Sequence, residues 1–68
     1  LHGVLIRKIV AARPIKAGEE FVPDMIRTVV TKAEGGLLPK EYYAVLGSRA
    51  GADLPEGHVL EYTDVDWR

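Results

Sequence analysis

The chain reads as a mostly β protein with short helical turns: a pseudo-two-fold pair of strand–turn–strand units plus one short helix. Three observations predict this. First, "RPIKAGEEF" at 13–21 and "ADLPEGHVL" at 52–60 share one outline, with Ile15, Gly18, Phe21 matching Leu54, Gly57, Leu60 at a spacing of 39 positions. Second, the remaining apolar runs are short and β-branched, which favours strands over helices. Third, only residues 37–47 carry both a helix start and a helix stop. A strand–turn–strand unit of this size cannot bury its own apolar face, so the two copies must close a single core together.

The elements follow in order. Residues 4–12, "VLIRKIVAA", form a strand interrupted by the charged pair Arg7-Lys8. Pro14 ends regular pairing there or confines it to an edge. Lys16-Ala17-Gly18-Glu19 makes a tight reversal with Gly18 at a positive φ, and Glu20-Phe21-Val22 returns, so 9–22 reads as a hairpin or wide reversal. Pro23-Asp24-Met25-Ile26 makes a single helical turn with Asp24 near its positive end. "RTVVT" at 27–31 is a strand, and Lys32 to Gly36 is a loop on its turn chemistry. In "LLPKEYYAVLG", Pro39 fits the first helical position and Gly47 the stop, while Tyr42, Val45 and Leu46 make one apolar stripe. Leu38 offers no oxygen to cap that helix. Residues 48–54 and 58–63 are short strands around Gly57, and Asp64 follows the second copy much as Asp24 follows the first, one residue out of step.

Composition bounds the function. With 68 residues the chain is one domain, 1–68, and a core of this size supplies only about 3–5 kcal/mol unaided. There is no cysteine, which removes disulfides and thiolate metal sites; His2 and His58 lie too far apart in sequence to suggest a metal. A net charge of −1, with acids and bases interspersed, lacks the basic stripe that nucleic acid demands. No apolar run is long enough for a membrane span, and no signal peptide is visible. Adjacent carboxylates (Glu19 with Glu20, Asp64 near Asp66) sit in turns, Ser48 has no plausible histidine partner, and Gly35-Gly36 lacks a phosphate-loop pattern. Tyr42, Tyr43 and Trp67 read as core or interface rather than as stacking platforms. Autonomous catalysis is therefore not expected. The first residue is Leu1, which reads as a domain excised from a larger enzyme.

The order of three segments carries a resemblance: "IVAARPIKAGEEFVPDMI", "KAEGGLLPKEYYAVLG" and "SRAGADLPEGHVL". From Arg7 to Asp64 the chain resembles the SAF or antifreeze-like domain found at the C-terminus of sialic acid (N-acetylneuraminate) synthases. The resemblance implies a compact β-clip, or pretzel-like, fold. It also implies a parent transferase that condenses phosphoenolpyruvate with an N-acetylhexosamine in a (β/α)8 barrel, using a divalent Mn or Mg. No cofactor is expected in this segment itself. In such synthases the small domain covers the barrel active site of the partner subunit in a homodimer, and a cytoplasmic location follows. Many of them carry Arg-Pro-Gly-x-Gly before the helix, where the arginine reaches the sugar's N-acetyl group. Here "KAEGG" occupies that stretch, which nominates Lys32, Gly35 and Gly36 as the substrate-binding residues. Lysine keeps the charge of arginine but not its planar fork.

Related domains widen the choice. Fish type III antifreeze proteins share the fold, but the matching face here carries Arg13, Glu19, Glu20 and Asp24 beside Gly18 and Pro23, and such charges hold liquid water firmly. Flagellar and pilus assembly proteins and sugar-acid dehydratases carry SAF modules too. The helix opened by Pro39 and closed by Gly47 resembles the synthases more closely.

Overall fold

A computed structural model describes residues 6–32 and 34–68. Strand β1 (Ile6–Ala11) pairs antiparallel with β2 (Ile26–Thr31), placing Lys8 opposite Val29 and Ala11 opposite Ile26. Strand β3 (Arg49–Ala50) pairs antiparallel with β4 (Val65–Asp66), with Ala50 opposite Val65. Among the described residues, three 3₁₀ turns, Pro23–Met25, Pro39–Glu41 and Tyr62–Asp64, and the single-turn helix α1 (Tyr42–Val45) make up the rest of the regular structure. The expected strand over 4–12 is present from Ile6 to Ala11; its first two positions, and His2, lie outside the described residues.

The two units are related residue for residue by a shift of 39. The β1–β2 pair Ala11↔Ile26 becomes the β3–β4 pair Ala50↔Val65. The glycine turns match as well: Glu19 N–H donates to Lys16 O and His58 N–H to Pro55 O, each at 3.1 Å, with Gly18 and Gly57 at φ 90° and 85°. A glycine at positive φ in the third position of such a turn is the type II arrangement. One expected correspondence shifts. Asp64 is the counterpart of Met25, not of Asp24. Both residues close their 3₁₀ turn backwards: Glu61 N–H donates to Asp64 Oδ2 at 2.8 Å, while Val22 N–H lies 3.4 Å from the Met25 sulfur.

The units are not local hairpins. In neither one do the arms flanking the turn pair with each other; each arm pairs across to the other unit. Ala11 N–H donates to His58 O (2.9 Å) and Ala50 N–H to Glu19 O (2.8 Å). Gly57 N–H reaches Ala11 O and Gly18 N–H reaches Ala50 O, both at 2.8 Å. Leu60 N–H donates to Ile9 O (2.9 Å) and Phe21 N–H to Ser48 O (2.8 Å). On the axis itself Ile15 and Leu54 exchange two reciprocal bonds of 2.8 Å. The reversal between the arms is too wide to close on itself, and it carries Pro14, which has no N–H to give a neighbouring strand. The short strands expected over 48–54 and 58–63 reduce to β3 (Arg49–Ala50) and single bridges, Leu54 to Ile15, Val59 to Val10 and Arg49 to Glu20, with Tyr62 and Thr63 already in the last 3₁₀ turn.

This interlock encloses one core. Its members come in symmetric pairs, Ala11 with Ala50, Ile15 with Leu54, Phe21 with Leu60 and Ile26 with Val65, joined by Ile9, Met25, Leu37 and Val45. The segment between the units supplies the lid of that core. Pro39 opens its 3₁₀ turn as expected, and Gly47 ends α1 at φ 87°. Val45 is fully buried, with Tyr42 and Leu46 packed beside it. The oxygen that Leu38 lacks comes from Glu41, whose Oε2 accepts from Leu38 N–H at 3.2 Å. The regular helix is shorter than 37–47 because its first turn is 3₁₀ and Leu46 is already extended.

Gly18 and Gly57 leave room for a methyl group, with nothing within 4 Å of an added Cβ, so an alanine there meets only backbone strain. Each of Gly18→Ala and Gly57→Ala is expected to cost about 1–2 kcal/mol, and Gly57→Asn less, in urea unfolding of the whole chain. Equal costs in the two copies are the expected outcome.

Candidate functional site

Three chain segments meet where the loop after β2 rejoins the core. Ile9 N–H donates to Leu37 O (3.1 Å), Leu37 N–H to Leu60 O (2.8 Å) and Leu60 N–H to Ile9 O (2.9 Å). This closed ring of backbone bonds ties the first unit, the loop and the second unit together, and all three residues are buried. Whatever stands on the loop is thereby held against both halves of the fold.

Gly35 and Gly36 precede that ring at φ 75° and 85°. Gly36 N–H donates to Glu61 Oε1 at 3.0 Å. A Cβ on Gly36 would lie 2.6 Å from Val59 Cγ1 and 3.6 Å from Lys8 Cδ; one on Gly35 would lie 3.2 Å from Glu61 Oε2. Both glycines are thus required by backbone conformation and close packing, whatever they bind. Lys32 is exposed, and among the described residues it makes no hydrogen bond or ion pair. Of the stretch 32–36, Ala33 lies outside the described residues. The loop therefore brings Gly35 and Gly36 together with Glu61 and Lys8, while Lys32 stands free at its start.

Lys8, Val59 and Glu61 were not singled out by the sequence. Lys8 had one signal, a charge inside a β-branched run. It is 7% exposed, yet among the described residues its ammonium has no hydrogen bond or ion pair. No described polar side-chain atom is both fully enclosed and unpartnered, so the Lys8 ammonium keeps contact with solvent while most of its stem is covered. Glu61 had no local signal, because its contact with Gly36 spans 25 positions.

Other candidates find structural roles. Ser48 is 1% exposed, donates to Ala44 O at 3.0 Å and accepts from Arg68 N–H at 3.4 Å, so its hydroxyl is occupied. His58 lies 2.8 Å from Asp64 Oδ2, the carboxylate that also closes the 3₁₀ turn. Tyr62 stacks on Trp67 with ring centroids 5.0 Å apart, and the indole N–H donates to Tyr62 O. An open groove of about 290 Å³ lies on the pseudo-two-fold axis between Pro14–Lys16 and Asp53–Pro55; none of the predicted site residues lines it. Among the described residues no group of three or more His, Asp or Glu is placed to hold a metal, and no helix is long and apolar enough to cross a membrane.

The family model of the SAF domain matches residues 6–66, nearly the whole chain. The chain belongs to the SAF domain family. The two small antiparallel sheets, the 3₁₀ turns and the single short helix make up an SAF-type fold, as the order of motifs led one to expect. No curated protein matches the chain. Within this SAF domain the loop 32–36 joins an exposed cation, Lys32, to two glycines packed against Val59, Lys8 and Glu61.

Gly36→Ala is expected to destabilise the SAF domain more than Gly57→Ala, since it adds a clash with Val59 to the same backbone strain. Val59→Ala in the Gly36→Ala background should restore part of the loss, read as a non-additive double-mutant cycle in urea.

Proposed function

We propose that this SAF domain is the substrate-capping domain of a sialic acid synthase-like enzyme, lying over the barrel active site of a partner subunit in a cytoplasmic homodimer. The parent reaction would condense phosphoenolpyruvate with an N-acetylhexosamine. The barrel would hold the divalent Mn or Mg and the phosphate-binding residues; the SAF domain would bring no metal of its own. Its task would be to exclude water from the reacting centre and to hold the sugar.

One observation carries this reading: Lys32 is exposed and, among the described residues, unpaired, four positions before Gly36, which Glu61 and the Ile9–Leu37–Leu60 ring hold to both halves of the fold. A cation close to such an anchor can present an N–H to an acetamido carbonyl. Lysine offers a single point of charge where the arginine of related synthases offers a fork, so the contact would be less directional. An ice-binding role fits less well. Arg13, Glu20 and Asp24 are exposed around the first glycine turn and keep that face hydrated.

In the full-length polypeptide, Lys32→Ala is expected to raise the KM for the sugar roughly tenfold, the worth of one hydrogen bond to a charged group, with little change for phosphoenolpyruvate. Equal effects on both substrates would contradict a sugar contact. Deleting the SAF domain should leave a folded barrel with weakened sugar binding; an unchanged KM would contradict the capping role.

A further inference from the structure

The groove on the pseudo-two-fold axis, about 290 Å³, is lined by Pro14, Ile15, Lys16, Asp53, Leu54 and Pro55. Ile15 and Leu54 pair in a single antiparallel bridge, and both side chains are buried in the core. Successive side chains of extended chain point to opposite faces, so the exposed neighbours Pro14, Lys16, Asp53 and Pro55 stand on the outer face. The antiparallel register sets Pro14 beside Pro55 and Lys16 beside Asp53. The 2.8 Å bond from Ala17 N–H to Asp53 Oδ1 agrees with that pairing. One wall of the groove is therefore basic and the other acidic. The next residues outward, Arg13 and Glu56, are exposed and repeat the signs. Among the described residues none of these four charges has an ion-pair partner. The floor offers no bond to an added strand, because Ile15 and Leu54 spend their N–H groups on each other and the prolines have none. Recognition here must come from side chains.

We infer that this groove is a weak, transient contact surface for a second copy of the same domain, related by a two-fold axis parallel to segments 13–16 and 53–56. A two-fold contact sets one patch against itself, so the patch must be complementary to itself. With the axis along the segments, the basic wall of one copy faces the acidic wall of the other. Lys16 then meets Asp53 of the second copy, and Arg13 meets Glu56, each twice by symmetry, while proline pair packs on proline pair. An axis running across the segments would lay basic wall on basic wall, and like charges oppose it. A polyanion would be repelled by Asp53 and Glu56, and a polycation by Lys16 and Arg13, so a partner of one sign fits less well than a second copy. The patch is far smaller than the about 20–30 residues a side of a standard interface, which is why the contact is weak. This surface lies apart from loop 32–36, and the inference does not rest on the capping reading.

The test is sedimentation equilibrium of the chain, with amide spectra of the isotope-labelled chain, as its concentration is raised to several millimolar at low salt. The apparent mass is expected to rise above that of one copy, with shifts concentrated at Ile15, Lys16, Ala17, Asp53, Leu54 and Glu56. Lys16→Glu makes the central pair acidic on both walls and should weaken self-association about tenfold, since two ion pairs are lost by symmetry. Asp53→Lys makes that pair basic on both walls and should weaken it likewise. An equimolar mixture of the two variants should associate better than either alone, because an acidic patch then faces a basic one. Should Asp53→Lys not fold, Asp53→Asn keeps an acceptor for Ala17 N–H, removes the charge, and should weaken self-association severalfold. A chain that stays a single copy at several millimolar, or shifts confined to another face, would overturn the inference. So would a Lys16→Glu variant that associates like the parent, or a mixture no better than its folded components.

Discussion

The fold depends on backbone bonds that cross between its halves. Eight of them, in four symmetry-related pairs, run from one unit to the other, with the Ile15–Leu54 exchange on the axis. Neither half has a paired partner for its inner arm without the other, and neither can bury Phe21 or Leu60 alone. In a chain this small the apolar core is worth only a few kcal/mol, so satisfying every buried N–H and C=O becomes decisive. Crossing arms achieve that with strands of two to six residues, lengths that isolated hairpins could not sustain.

The same interlock positions the candidate site. Loop 32–36 would be a mobile tether if it merely joined two finished units. Instead Leu37 enters a closed ring of backbone bonds with Ile9 and Leu60, and Glu61 from the second unit grips Gly36. The glycine pair is consequently fixed relative to Lys8 on β1 and to Glu61 beyond the second glycine turn. An anchor of this kind holds Gly36 and Leu37 at a fixed place relative to both halves of the fold.

Much of this was legible in the sequence, and what was not has a common cause. The turn glycines at 18 and 57, the Pro39 start, the Gly47 stop and the buried Val45 follow from local rules of backbone conformation and periodicity. The shift of 39 announced two equivalent units. The pairing between them was not legible, since a sequence shows which residues prefer extended backbone but not which edge they meet; the arms 9–11 and 20–22 look like a hairpin until Pro14 and the width of the reversal are set against the alternative partner. The sequence placed Asp64 one residue out of step with Asp24; that its counterpart is Met25 was not legible, because Met25 uses sulfur where Asp64 uses a carboxylate. Glu61 escaped notice for a related reason: its contact with Gly36 spans 25 positions of the chain.

The central claim is that the two units stand or fall together, and native-state hydrogen exchange of the crossing amides tests it most directly. Ala11, Ile15, Phe21, Ala50, Leu54 and Leu60 donate those bonds from both halves. If the interlock governs stability, all six exchange only through global unfolding and share one opening free energy, equal to that from urea denaturation. If the donors of one half exchanged through a separate, lower-energy opening while the other half stayed protected, the units would be independent and the account would be wrong.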